Sequence, residues 1–94
     1  MIDLIKQYQA KKLHLTAKQS AVFILLIENT ILCLKRRSDL RHYAGQWCLP
    51  GGLFEQDDNN LLQTAWRELF EETNIQQNYC EYIGCLDDFY NSQN

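Results

Sequence analysis

Apolar and polar positions along the 94-residue chain fall into blocks of two different periods. Near the N-terminus, Ile2, Leu4, Ile5, Tyr8, Leu13 and Leu15 recur at loosely helical spacing around Lys6, Gln7 and Lys11, which predicts an amphipathic helix over 2–14. Residues 20–27 (SAVFILLI) are a continuous apolar run rich in β-formers, and residues 30–35 (TILCLK) are a second. Glu28-Asn29 between them reads as a turn, with Asn29 taking the positive φ, so 20–35 predicts a hairpin buried on at least one face. Residues 36–48 are polar and mixed, a loop that ends on Leu49-Pro50-Gly51-Gly52. Proline fixes one φ there, and two glycines admit backbone approaches closed to other residues. A second loop, 53–60, ends in the N-cap candidates Asp58 and Asn59. Leu61, Leu62, Ala65, Trp66, Leu69 and Phe70 then form one apolar stripe, predicting a helix over 60–73 with Asn74 as its left-handed C-terminal cap. Residues 80–86 (CEYIGCL) read as a strand. With no repeat and no linker, 1–94 reads as a single domain.

Composition narrows the class. Hydrophobic residues make up 46% and charged residues 22%, a globular balance rather than a disordered one. No apolar run approaches the roughly 20 residues that span a bilayer, and the N-terminus lacks the pattern of a secretory signal, so the expected compartment is the cytoplasm. Cys33, Cys48, Cys80 and Cys85 form no close pair and no zinc-ligand spacing, and in a reducing compartment they are expected as free thiols. The net charge of −3 hides an asymmetry: residues 1–47 hold eight Lys/Arg against three Asp/Glu, and residues 48–94 hold one Arg against nine Asp/Glu. A long basic surface for nucleic acid is therefore not expected. The split suits a site where a metal meets the acidic half and phosphates meet the basic half, although ordinary surface charge gives the same count.

The chemistry concentrates in Arg67-Glu68-Leu69-Phe70-Glu71-Glu72. At about 100° per residue, Glu68, Glu71 and Glu72 fall within an arc of roughly 100° on a helix. Like charges at i, i+4 destabilise a helix by a few tenths of a kcal/mol, and carboxylates near its C-terminal end oppose the macrodipole. A cluster of oxygen donors suits a hard divalent cation such as Mg²⁺. Arg67 is placed to pair with Glu71 at i+4. Without a cation, the same residues make a solvated acidic face.

Together the glycine pair and the acidic helix resemble the Nudix hydrolase box. That signature runs glycine, five residues, glutamate, seven residues, Arg-Glu, an aliphatic, any residue, Glu-Glu, any residue, glycine, an aliphatic. Here Gly52 leads, Arg67 to Thr73 match the core, and Asn74-Ile75 close it. Asp58 stands where the box has its first glutamate, the spacing to Arg67 is one residue longer, and Asn74 replaces the last glycine. The longer spacing is similar to the branch that cleaves coenzyme A. Leu32, Arg36, Arg41, Gly45 and Pro50-Gly51-Gly52 match that branch's upstream signature, while Cys33, Leu34, Arg37 and Leu49 depart from it.

The resemblance implies an α+β fold, an α/β/α sandwich on a mixed sheet, in which the box spans 52–75. It implies hydrolysis of a diphosphate joining a nucleoside to another group, coenzyme A being one such substrate, with Mg²⁺ or Mn²⁺ as cofactor. Glu68, Glu71 and Glu72 would hold the metal, Glu68 would act as general base, and Arg67 would orient the glutamates. Gly51 and Gly52 would approach metal and phosphates, and Arg36 and Arg41 would bind phosphate. Trp47 and Tyr43 would either stack on an adenine or cover the core. Family domains continue past the strand after the box helix, so the sheet is expected to be incomplete at its C-terminal end. The rest of a longer protein, or a second copy in a homodimer, would complete it. A different class of reading is a weak Nudix-like domain that binds nucleotide or only self-associates.

Overall fold

The computed structural model describes residues 2–12, 18–36, 38 and 44–88. Its elements run α1 (Ile2–Gln7), β1 (Ser20–Val22), β2 (Leu26–Ile27), β3 (Thr30–Ile31), β4 (Leu34–Lys35), β5 (Trp47–Cys48), β6 (Gly51–Leu53), α2 (Leu61–Thr73) and a 3₁₀ turn at Gln77–Tyr79. The class is α+β. Every strand pairing among the described residues is antiparallel.

The apolar run 20–27 does form one arm of a hairpin, but it changes partner midway. Its first half, β1, pairs with β6, with Ser20 opposite Leu53 and Val22 opposite Gly51. Its second half, β2, pairs with β3, with Ile27 opposite Thr30. The turn falls at Glu28-Asn29 as expected, but the positive φ, 57°, belongs to Glu28 and not to Asn29. A single positive φ at the first central residue is the type II′ pattern, which matches the twist of the flanking strands. The second arm continues into β4, which pairs with β5. The Arg36 N–H donates to the Gln46 carbonyl (2.8 Å) and the Gly45 N–H to the Arg36 carbonyl (3.2 Å), closing the intervening loop at its base.

Alternation sorts the two faces of this ribbon. Ala21, Phe23 and Leu25 are half-buried, and Val22 and Ile24 between them are exposed. The inner face receives α2, which packs on β1 and β6. Phe23 meets Trp66 edge-on, with ring centroids 4.5 Å apart and planes at 62°. Leu69 and Ala65 are buried beneath the helix along with Thr64, whereas Leu62 and Phe70, at the margins of the predicted stripe, stay exposed.

Helix α2 begins and ends on side-chain chemistry. Asn60, not Asp58 or Asn59, is the N-cap: its side-chain oxygen accepts from the Gln63 N–H at 2.8 Å. Gln63 reaches back to the Asn59 N–H (2.6 Å), a reciprocal arrangement displaced by one residue from the usual capping box. At the other end Asn74 adopts φ 64° and ψ 13°, the left-handed cap expected of it, and its N–H bonds the Phe70 carbonyl.

Two predicted elements are corrected. The first helix stops at Gln7 rather than reaching residue 14; residues 8–12 are not helical and 13–17 lie outside the described residues. Tyr8 leaves the helix to donate its hydroxyl to Asp87 Oδ1 at 2.7 Å, and the Lys11 N–H donates to the same oxygen. Residues 80–86 form no strand. Neighbouring 3₁₀ geometry and isolated bonds, such as the Asp88 N–H to the Lys11 carbonyl, take the place of a ladder, which needs consecutive partners.

Candidate functional site

The acidic segment lies where α2 crosses β6, and the two glycines set how close that crossing is. A Cβ built on Gly52 would stand 2.5 Å from Glu68 Oε1. One built on Gly51 would stand 2.6 Å from the Val22 Cα, on the neighbouring strand. Only glycines let β6 lie against β1 and beneath Glu68 together. The Gly51 N–H donates to Glu72 Oε1 at 2.9 Å. Glu68 and Glu72 are thus both seated on the Gly51-Gly52 backbone.

Arg67 organises the other side. Its Nε and Nη2 each lie 3.0 Å from one oxygen of Asp58, a bidentate pair, and Nη2 also donates to the Leu53 carbonyl. Nη1 faces Glu68 Oε1 at 3.1 Å, Glu71 at 3.4 and 3.5 Å, and Glu55 at 3.5 Å. The expected i, i+4 pairing with Glu71 is present, but the dominant partner is Asp58. That carboxylate is 7% exposed and also accepts from the Thr64 hydroxyl (2.9 Å) and the Glu55 N–H (3.0 Å). The guanidinium beside it, and these further donors, hold Asp58 well below the usual carboxylate range. The same bonds keep Arg67 firmly protonated.

Glu72 moves the opposite way. Burial is the first cause of its raised pKa, and the charges of Glu68 and Glu71 add to it, against the Gly51 hydrogen bond and the Arg36 charge. Arg36 is half-buried just past β4, and its charge reaches Glu72 from the basic half of the chain. Arg41 and Tyr43 lie outside the described residues. Trp47 is 69% exposed and pairs opposite Lys35, whose Nζ sits 5.9 Å from the indole centroid. Cys33, Cys48, Cys80 and Cys85 are free thiols.

As the side chains stand, Glu68 and Glu71 turn to Arg67 and Glu72 turns to Gly51. Among the described residues no three His, Cys, Asp or Glu groups converge as a metal site. The donor chemistry nonetheless fits a hard divalent cation: three carboxylates share one helix edge, and burial first, then the charges of Glu68 and Glu71, raise the pKa of Glu72. Asp58, read from the sequence both as an N-cap candidate and as the residue standing where the box has its first glutamate, does not cap α2; its carboxylate is held by Arg67.

Residues 17–94 match the family model described as NUDIX domain. The chain belongs to the Nudix family. Relatives include an uncharacterized Nudix hydrolase NudL of Pectobacterium atrosepticum, 36% identical over 72 residues covering 73% of this chain. Proteins of the same description from Yersinia pestis and Yersinia pseudotuberculosis are 39% identical over 74 residues, 76% of the chain. The chain spans 37–38% of the length of these relatives. No solved structure matches. No helix among the described residues is long and apolar enough to cross a membrane.

Proposed function

We propose that this domain hydrolyses the diphosphate bond of a nucleoside diphosphate linked to another group, with Mg²⁺ or Mn²⁺ as cofactor and coenzyme A as the favoured substrate class. The observation that carries the reading is the seating of Glu68 and Glu72 on the Gly51-Gly52 backbone, with the charge of Arg36, distant in sequence, felt at Glu72. Acidic and basic halves of the chain meet there, as binding a cation and a diphosphate together requires.

Glu68, Glu71 and Glu72 would hold the cation through their oxygens. A divalent cation so bound neutralises phosphate charge and acidifies water. Glu68 is the general base of this reading: its Oε2, which takes no part in the Arg67 contact, accepts the proton of the attacking water. Arg67 keeps the Glu68 carboxylate in one orientation. Arg36 and Arg41 bind the diphosphate or a 3′-phosphate as planar guanidinium donors. The backbone around Gly51 and Gly52 would approach the metal and phosphates. The coenzyme A preference rests on Leu32, Arg36, Arg41, Gly45 and Pro50-Gly51-Gly52 and on the longer spacing to Arg67. The cytoplasm is the compartment this substrate class implies. A second copy of the chain as partner is part of the same proposal.

The test is a phosphorus-NMR panel of coenzyme A, ADP-ribose, dinucleoside polyphosphates and deoxynucleoside triphosphates, with Mg²⁺, with Mn²⁺ and with chelator. Metal-dependent cleavage of a diphosphate is expected, with coenzyme A fastest, and Glu68→Gln is expected to slow it by about 10²–10⁴-fold. A second reading, a catalytically weak domain that binds nucleotide or self-associates, is favoured by the turning of Glu68 and Glu71 onto Arg67. It predicts no turnover of any compound in the panel.

A further inference from the structure

We propose that Lys12 and Cys85 form an oxidation-dependent, thiol-reversible covalent cross-link that joins the segment after α1 to residues 84–88. The pair shares no residue with the acidic helix or with the glycines beneath it.

The two segments already meet. The Tyr8 hydroxyl and the Lys11 N–H both donate to Asp87 Oδ1 at 2.7 Å, and the Asp88 N–H donates to the Lys11 carbonyl at 2.8 Å. At the end of this set Lys12 Nζ donates to Cys85 Sγ at 2.9 Å, and Asp88 Oδ1 stands 3.9 Å from the same nitrogen. The sulfur in turn faces the Leu86 carbonyl at 3.3 Å. Amine and sulfur are therefore in direct contact across 73 positions of sequence. Cys85 is exposed and the Lys12 side chain is 53% exposed, so a small oxidant reaches both. The flexible four-carbon stem of Lys12 supplies the adjustment a bond needs without moving either backbone. Exposed polar contacts contribute little each in water, so the segments are weakly clasped until a bond joins them.

The chemistry uses the two groups in turn. The thiolate is the nucleophilic form of a cysteine, and a neighbouring ammonium favours it. With hydrogen peroxide as oxidant, the sulfur attacks one peroxide oxygen and the O–O bond breaks. Sulfur loses two electrons, Cys85 becomes a sulfenic acid and water is released. The contact with Cys85 is the first cause of the raised pKa of Lys12; burial opposes it and the charge of Asp88 adds to it. Oxidation of the sulfur removes that first cause, which frees the amine to attack. A nitrogen–sulfur bond forms, the sulfur–oxygen bond breaks, and the hydroxyl leaves with one amine proton as water. Condensation of a sulfenic acid with a nitrogen is a reversible step of cysteine oxidation. One reductant thiol displaces the Lys12 amine as a mixed disulfide, and a second releases the Cys85 thiol.

The experiment treats the full chain with near-equimolar hydrogen peroxide, digests it, and maps joined peptides by mass spectrometry before and after dithiothreitol. A peptide pair joined at Lys12 and Cys85, two hydrogens lighter than its parts and separated by dithiothreitol, is expected in wild type. Lys12→Arg, which keeps the cation without a nucleophilic amine, and Cys85→Ser are each expected to yield no such pair. Closing a long loop restricts the unfolded chain, so the urea midpoint of oxidised wild type is expected to rise by roughly 1 M or more, and that of oxidised Lys12→Arg to stay where it is. Cys85 left reduced, or oxidised to a sulfenic acid or a disulfide with Lys12 unjoined, overturns the assignment. A midpoint unmoved by the joining overturns the clasp.

Discussion

A carboxylate gripped by a guanidinium fork and a buried hydroxyl carries its own pH signature. Asp58 has a folded-state pKa held far below its unfolded value of about 4. Below the unfolded value the unfolded chain binds the extra proton, so stability falls as pH falls. The contribution is present in full above about pH 5 and is lost progressively toward the depressed folded pKa. Urea midpoints measured between pH 6 and 3 are expected to drop for wild type and to drop less steeply for Asp58→Asn. At Gly52 the constraint is space: an added methyl meets the Glu68 carboxylate. Gly52→Ala is expected to cost about 1–3 kcal/mol in chemical denaturation, as overpacking does. At this scale the sequence disclosed which residues matter better than whom they touch. The Arg67–Glu71 pair follows from helix periodicity, but the Arg67–Asp58 pair joins a loop to a helix nine residues on, and no local period predicts it.

Elements were legible where the signal is local. Helix α2 was predicted over 60–73 and spans Leu61–Thr73, because its stripe is continuous and its C-terminal Asn74 tolerates the left-handed region. The cap was misplaced because Asp58, Asn59 and Asn60 are all good cap residues; the choice falls to Asn60 once Asp58 is drawn off by Arg67. Asn60→Ala is expected to lower stability by about 0.5–2 kcal/mol in thermal or urea unfolding. Where tertiary partners decide, sequence patterns failed. Residues 80–86 have the composition of a strand but only scattered hydrogen bonds, and α1 ends where Tyr8 and Lys11 turn to Asp87.

Over the whole molecule, one helix covers one face of the ribbon, and the opposite face presents aliphatic side chains. Val22 (54% exposed), Ile24, Ile31 and Leu53 lie there. Exposed aliphatic side chains so grouped suit the second copy proposed above. Light scattering is expected to give a mass twice that of one chain, and Ile24→Lys is expected to return the monomer; a monomer at all concentrations would remove the second copy from the proposal. The sequence reads 20–27 as a continuous apolar run buried on at least one face; which face α2 covers was not readable, since hydropathy says that a face is buried and not by what. The central claim is that the carboxylates of α2, seated over two glycines, grip a divalent cation. The most direct test is a calorimetric titration of wild type and of the Glu68→Gln, Glu71→Gln, Glu72→Gln triple variant with MnCl₂. A saturable heat in wild type that vanishes in the triple variant is predicted; no heat in wild type, or the same heat in both, would contradict the account.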